Sequence, residues 1–213
     1  MTILSFKQFK IISEFKESEI IPKKTIKGYK LFKVKKNSPG KIFPLFVDAN
    51  SSIPIGKWLD AEAGELTDKG KVKSKLGPLA YRPGWHSGDV PVATHIGDSG
   101  DGTSKPKYRS SDHVWGEVEI PADVDWQEEA NKRAKKNKKG EMVLNTAHIT
   151  DQIPTNGFYR YKTNPNMTGN WIISGAIKVN RILSDEEVEQ INKSHGVADL
   201  PRKTPFEKEK YGL

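Results

Sequence analysis

The chain has 213 residues, no cysteine and a formal net charge of +8, with 29% charged and 35% apolar residues. The missing thiols exclude a disulfide framework and any thiolate-held metal. No stretch approaches the roughly 20 apolar residues that cross a bilayer, and the first twenty residues lack the apolar run of a secretory signal. A water-soluble cytoplasmic protein with one modest core is expected, its bulk supplied by five Trp, six Tyr and eight Phe.

In chain order, Phe6, Phe9, Ile12 and Phe15 recur every three residues and predict a helix over Ser5–Glu19, ended by Pro22. Residues 1–27 are therefore assigned to a helix and linker. Tyr29, Leu31 and Lys33 alternate with Lys30, Phe32 and Val34, which predicts a strand closed by the turn at Asn37–Gly40. A second strand, Lys41–Val47, completes a hairpin, and the short apolar Ile53–Leu59 leads into Asp60, Glu62 and Glu65. Glycine and proline then punctuate residues 76–112, where only Val90–Ile96 reads as a strand and Gly97–Asp112 reads as mobile.

The clearest strand is HVWGEVEIP. It sets Val114, Gly116, Val118 and Ile120 on one face and Trp115, Glu117 and Glu119 on the other. Asp125 begins a short helix running from Trp126 to about Lys135. A strand follows at Gly157–Thr163, then a turn at Asn164–Asn166, and a strand or bulged pair around Gly175 within Trp171–Leu183. Ser184 and Glu187 form a capping box for a last helix, Asp185–Lys193. The pattern is α+β: a mixed, mainly antiparallel sheet with a few short helices and long loops. Residues 28–196 form one domain, and residues 197–213 form a flexible tail from about Pro201.

The densest collection of chemically able groups is the loop Tyr81–Gly97. Arg82, His86 and His95 bind anions or move protons near neutral pH, Gly84 and Gly88 admit close backbone approach, and Trp85 offers a ring for stacking. The alternative is a stiff turn whose Trp fills the core and whose His caps a carbonyl. Glu117 and Glu119 form a second candidate, because same-face carboxylates repel and one of them would gain a raised pKa. Their alternative is ion pairing with Arg160 and Lys162 on the strand Gly157–Thr163.

His86, Asp89 and His95 lack the spacing of metal ligands, and Asp60, Glu62 and Glu65 lack a matching second acidic motif and read as a polar loop or helix start, so no metal site is predicted. Ser87 beside His86 lacks a nucleophile elbow. Gly97–Gly102 lacks the lysine and helix of a phosphate loop.

Seven lysines and no acid lie between Lys23 and Lys36. There Tyr29 and Phe32 interleave with Lys30, Lys33, Lys35 and Lys36, a pattern suited to polyanions. The lysines of Lys69–Lys75 and the basic run Lys132–Lys139 read as solvated segments.

Six strings resemble a domain of the large polyvalent proteins of phages and conjugative elements. They are YKLFKV, PLFVDAN with IGKWLDAEAG, KLGPLAYRPGWHSGDVPVATHIG, VWGEVEIPADVDWQ, and YRYKTNPNMTGNWIISGAIKVNRILSDEEV, which together span Gly28 to Val188. That resemblance implies a mobile-element origin and action in the cytoplasm of a bacterial host, or association with a virion, with a host protein or nucleic acid as partner.

The chain is also similar to the ADP-ribosyltransferase fold. There YKLFKV matches the first strand, Gly84–Trp85 the glycine-aromatic segment and Glu117-Val118-Glu119 the catalytic glutamate pair. Lys30 stands where that family has His or Arg, and no Ser-Thr-Ser motif follows. The similarity implies NAD as cofactor, held by Arg82, Trp85 and His95, with Glu119, Glu117 and His86 at the reacting centre. Three expectations result: an NAD-using transferase, a nucleic-acid-binding accessory protein, and a non-enzymatic virion or host-interaction protein.

Overall fold

The computed structural model describes residues 15–103, 105–134, 138–139, 149–163 and 166–213. In chain order they form β1 (Thr25–Val34), β2 (Ile42–Phe43), β3 (Trp58–Asp60), β4 (Trp85–Gly88), β5 (His113–Pro121), β6 (Val124–Asp125), α1 (Gln127–Arg133), β7 (Gly157–Tyr161), β8 (Trp171–Ser174), β9 (Ala176–Ile182) and α2 (Asp185–Ser194). The nine strands make one sheet in the order β3-β9-β5-β1-β4-β8-β7-β6, with β2 attached to β1. Every pairing is antiparallel except β6 with β7. The α+β class with a mixed, mainly antiparallel sheet is as the sequence predicts.

The centre of the sheet is the ladder between β1 and β5, continuous from Thr25↔Pro121 to Lys33↔His113. Period-two alternation sends Phe32, Val34, Val114, Val118 and Ile120 to one face, where Ile172, Ile177 and Val179 close the main core. Tyr29, Leu31 and Trp115 point to the other face and meet Ala93 and Leu183, with Val188 and Ile191 of α2 packed against them. Gly116 stands between larger residues because a Cβ there would lie 2.7 Å from the Phe32 ring. The glycine makes room for the aromatic ring that fills the core.

Several elements depart from expectation. Most of the predicted helix Ser5–Glu19 lies outside the described residues, but its end is extended, with Glu17 bridged to Leu59. A bond to the sheet edge overrides helical spacing there. The strand expected at Lys41–Val47 shortens to two residues, since Pro44 cannot donate to a ladder. Val90–Ile96 is not a strand; the strand in that loop is Trp85–Gly88, four residues paired to β8. The bulged pair expected around Gly175 becomes two strands with different neighbours, β8 against β4 and β7, and β9 against β5 and β3. Gly175 is the corner, because a Cβ there would fall 2.1 Å from the Pro154 carbonyl. The capping box of α2 forms as expected, with the Ser184 hydroxyl accepting from the Glu187 amide. Residues 164–165 of the turn Asn164–Asn166 and residues 135–137 of the basic run Lys132–Lys139 fall outside the described residues.

Neither the stretch Gly97–Asp112 nor the chain end is loose, and one ion pair accounts for much of this. Arg109 and Asp199 meet at 2.6 Å with side chains only 1% and 8% exposed. Arg109 also donates to the carbonyls of Ala93 and Ile96. Asp199 accepts from the Ala93 amide at 2.9 Å and from Trp115 Nε1 at 2.9 Å. Beyond it, Arg202 pairs with Asp185 at 2.7 Å, and Tyr211 is buried in the main core. A buried charge left without its partner costs about 3–5 kcal/mol. Asp199→Ala should therefore lower the urea unfolding free energy by about that amount. Pairing Arg109→Met with Asp199→Leu should recover more than half of the loss.

Candidate functional site

β1 has only fragmentary partners along one edge. It meets β4 at the single pair Tyr29↔Gly88 and β2 at Lys33↔Phe43 and Val34↔Ile42. Among the described residues, Lys30, Leu31 and Phe32 have no ladder partner on that edge. A cavity of about 730 Å³ opens beside this gap, a size suited to a small-molecule ligand. β1 lines it with Tyr29, Lys30 and Leu31, the loop entering β4 supplies Arg82, and β4 supplies Trp85 and His86. His95, Tyr161 and Trp171 also line it, and the carboxylates in its wall are Asp48 and Glu62.

Local sequence fixes these side chains. Gly84 enters β4 at φ +125°, where a Cβ would lie 2.4 Å from Ile173 Cγ2, so only glycine fits. Trp85 then turns inward. Its Nε1 donates to the carbonyls of Leu59 and Asp60 at 3.0 and 3.1 Å, and its ring packs 5.4 Å from that of Phe15. It is a buried wall of the cavity rather than a free stacking platform. His86 Nε2 lies 3.2 Å from the Arg82 carbonyl, which fixes the turn. His95 meets Trp171 edge-on at 5.6 Å.

Arg82 is exposed, and no carboxylate among the described residues pairs with it. Its charge lies near Tyr159 and Tyr161, partly opposing the burial that pushes both hydroxyls up to about 12. Tyr161 therefore stays a neutral donor across the physiological range.

Lys30 is the residue whose place is least expected. It shares the core-facing side of β1 with Phe32, yet its Nζ turns to donate to the His86 carbonyl at 2.7 Å. The Trp85 ring lies 5.4 Å from that nitrogen. Burial, with no charged neighbour contributing, holds its ammonium down at about 8. The other lysines proposed for polyanions are largely engaged. Lys33 pairs with Asp112 at 2.6 Å, Lys35 donates to the Ala49 carbonyl and lies over the Phe43 ring, and Lys36 is exposed.

Glu117 and Glu119 do not line the cavity. Glu117 pairs with Lys27 at 3.2 Å and with Arg181 at 3.4 Å. Glu119 pairs with Lys178 at 2.7 Å and accepts from Asn180 at 3.2 Å. The Lys178 hydrogen bond holds Glu119 below the usual carboxylate range, the reverse of the expected upward shift. Their partners lie on β1 and β9, the strands flanking β5, rather than being Arg160 and Lys162 of the remote Gly157–Thr163 segment. Asp89 is likewise engaged, accepting from Asn170 N and Nδ2.

The structure brings Arg82, Trp85, His86 and His95 of the Tyr81–Gly97 loop to one cavity and adds Tyr161 and Asp48, which the sequence does not single out, together with Lys30 and Glu62, which it groups with a lysine run and an acidic cluster. For Lys30 a signal was present: alternation puts it in line with Gly28, Phe32 and Val34, residues that face the core. No family model, curated protein or solved structure matches the chain.

The position of Lys30 sets a pH dependence. Its folded-state pKa of about 8 lies below the ordinary 10.5, so the unfolded chain binds more protons between those values. Stability from this group is lost as pH falls through about 8 and is fully present above 10.5. The wild-type unfolding free energy should therefore gain more between pH 8 and pH 10 than that of Lys30→Met, as measured by urea titration at both pH values.

Proposed function

We propose that the chain is a mobile-element accessory protein whose cleft binds a small anionic ligand carrying a flat ring, with NAD as the type of ligand it takes. The observation that carries this reading is the grouping of Arg82, His86 and His95 with Tyr161 and Trp171 around one cavity of about 730 Å³. An exposed guanidinium without a carboxylate partner is suited to gripping phosphate bidentately. Neutral tyrosine and edge-on indole rings supply the apolar wall that a base or nicotinamide ring requires.

In this reading Glu117 and Glu119 are members of a surface charge ladder. Any carboxylate that meets the ligand is Glu62 or Asp48, the two in the wall. The mobile-element assignment rests on the sequence resemblance spanning Gly28 to Val188, and the choice of NAD rests on the similarity to the ADP-ribosyltransferase fold.

Isothermal calorimetry with NAD, ADP-ribose and inorganic pyrophosphate tests the proposal. NAD should bind, and Arg82→Ala should weaken it about tenfold or more, the loss of one charge-assisted contact of about 1.5–3 kcal/mol. Glu119→Gln should leave the affinity unchanged. No heat from any of the three ligands at millimolar concentration would overturn the reading.

A further inference from the structure

We infer that Lys30 is a nucleophilic amine that condenses with a carbonyl-bearing ligand in the cleft between β1 and β4. The inference rests on the cleft being a ligand site, but not on NAD being the ligand.

Four observations support it. The Lys30 side chain lines the cavity wall. It has no ion-pair partner among the described residues, whereas its neighbours on the same strand do: Lys27 with Glu117 and Lys33 with Asp112. Its Nζ is held in place by a single hydrogen bond to the His86 carbonyl at 2.7 Å. The rings of Trp85 and Phe32 lie 5.4 and 6.0 Å from it, which gives the nitrogen an apolar surround. An ammonium in such a place is poorly solvated, and removing its proton relieves the cost. The downward shift of Lys30, caused by burial, agrees with this geometry.

The titratable groups facing the same space are Tyr29, Asp48, Glu62, Tyr81, Arg82, His86, His95 and Tyr161. None of them contributes to the shift of Lys30. The neutral amine is the form that attacks carbonyl carbon, and desolvation raises the share of Lys30 present in that form.

The step is balanced without any oxidant or reductant. The amine lone pair of Lys30 adds to the carbonyl carbon, and a proton passes from nitrogen to oxygen to give a carbinolamine. The second amine proton and the hydroxyl then leave as water, and a carbon–nitrogen double bond forms. Arg82, on the loop that also supplies the His86 carbonyl, would hold a phosphate or carboxylate of the same ligand. The substrate class is an anionic aldehyde or ketone.

The test uses the full-length protein with pyridoxal 5′-phosphate as probe, reduced with borohydride at short times and mapped by peptide mass spectrometry. The expected result is that Lys30 is labelled at least tenfold faster than exposed Lys36, with a rate that rises around pH 8. Pyridoxal without its phosphate should label Lys30 more slowly. Equal labelling of Lys30 and Lys36, or a Lys30 rate that rises only near the ordinary pKa of 10.5, would overturn the inference.

The measurement is made on the wild-type chain, so it does not depend on any variant folding. Lys30→Arg, checked by circular dichroism, should lose the fast-labelled peptide and keep the slow ones. If NAD fails to bind while Lys30 labels fast, the NAD reading falls alone. If NAD binds and Lys30 is unreactive, the lysine inference falls alone.

Discussion

The structure depends on an incomplete edge. β1 is fully satisfied on the side of β5, where nine residue pairs lock it in register. On its other side β4 takes only Tyr29, in the middle of the strand, and β2 takes only Lys33 and Val34 at its end. A strand cannot leave backbone groups bare in a core, so the gap must be open to solvent, filled by a ligand or bridged by side chains. Here the gap widens into a cavity, and Lys30 bridges across it to the backbone of β4. Had β4 paired along all of β1, the fold would have a flatter sheet and no cleft. The candidate site is therefore a property of strand pairing before it is a property of particular side chains.

One wall of the cleft is held from a distance. Asp199 follows α2, yet its carboxylate accepts from Ala93 and Trp115 and faces Arg109. Ala93 and Trp115 both line the cavity, and His95 lies two residues beyond Ala93. The chain segment after α2 thus braces the loop that carries His95 against the central strand. Buried pairs of this kind add little net stability, but their geometry tolerates few alternatives. Their effect here is to fix where that wall stands.

Much of this architecture was readable from local pattern. The alternation in HVWGEVEIP and YKLFKV gave the two central strands, and Ser184 with Glu187 gave the start of α2, because each signal lies within a few residues of its consequence. The site was legible in part for the same reason: Arg82, Trp85, His86 and His95 lie close together in the chain. What stayed hidden was long-range. Nothing near Arg109 announces Asp199, and nothing near Glu117 announces Arg181. The Tyr81–Gly97 loop misled because glycine and proline density signals turns, whereas pairing with β8 converts its middle into a strand. Helical spacing in Ser5–Glu19 misled at its end, where an edge bond to Leu59 was available.

The charge of the chain changes meaning once it is placed. Seven lysines between Lys23 and Lys36 suggest a field for polyanions, yet Lys27 and Lys33 are spent on carboxylates and Lys35 on a carbonyl and a ring. Exposed pairs of this kind are worth about 0–1 kcal/mol each and serve mainly to set register and solubility. Lys30 is different in kind. At its position a leucine or methionine would continue the apolar face of Phe32 and Val34 without any desolvation cost. A half-buried ammonium with no counter-charge among the described residues is a poor way to stabilise a sheet, and one hydrogen bond to a backbone carbonyl recovers only about 1.5–3 kcal/mol of the desolvation cost. The same desolvation that makes Lys30 a liability to the fold makes its proton easier to shed, which favours the free amine that attacks. A residue that weakens the fold while lining a cavity of about 730 Å³ is best accounted for by what enters the cavity.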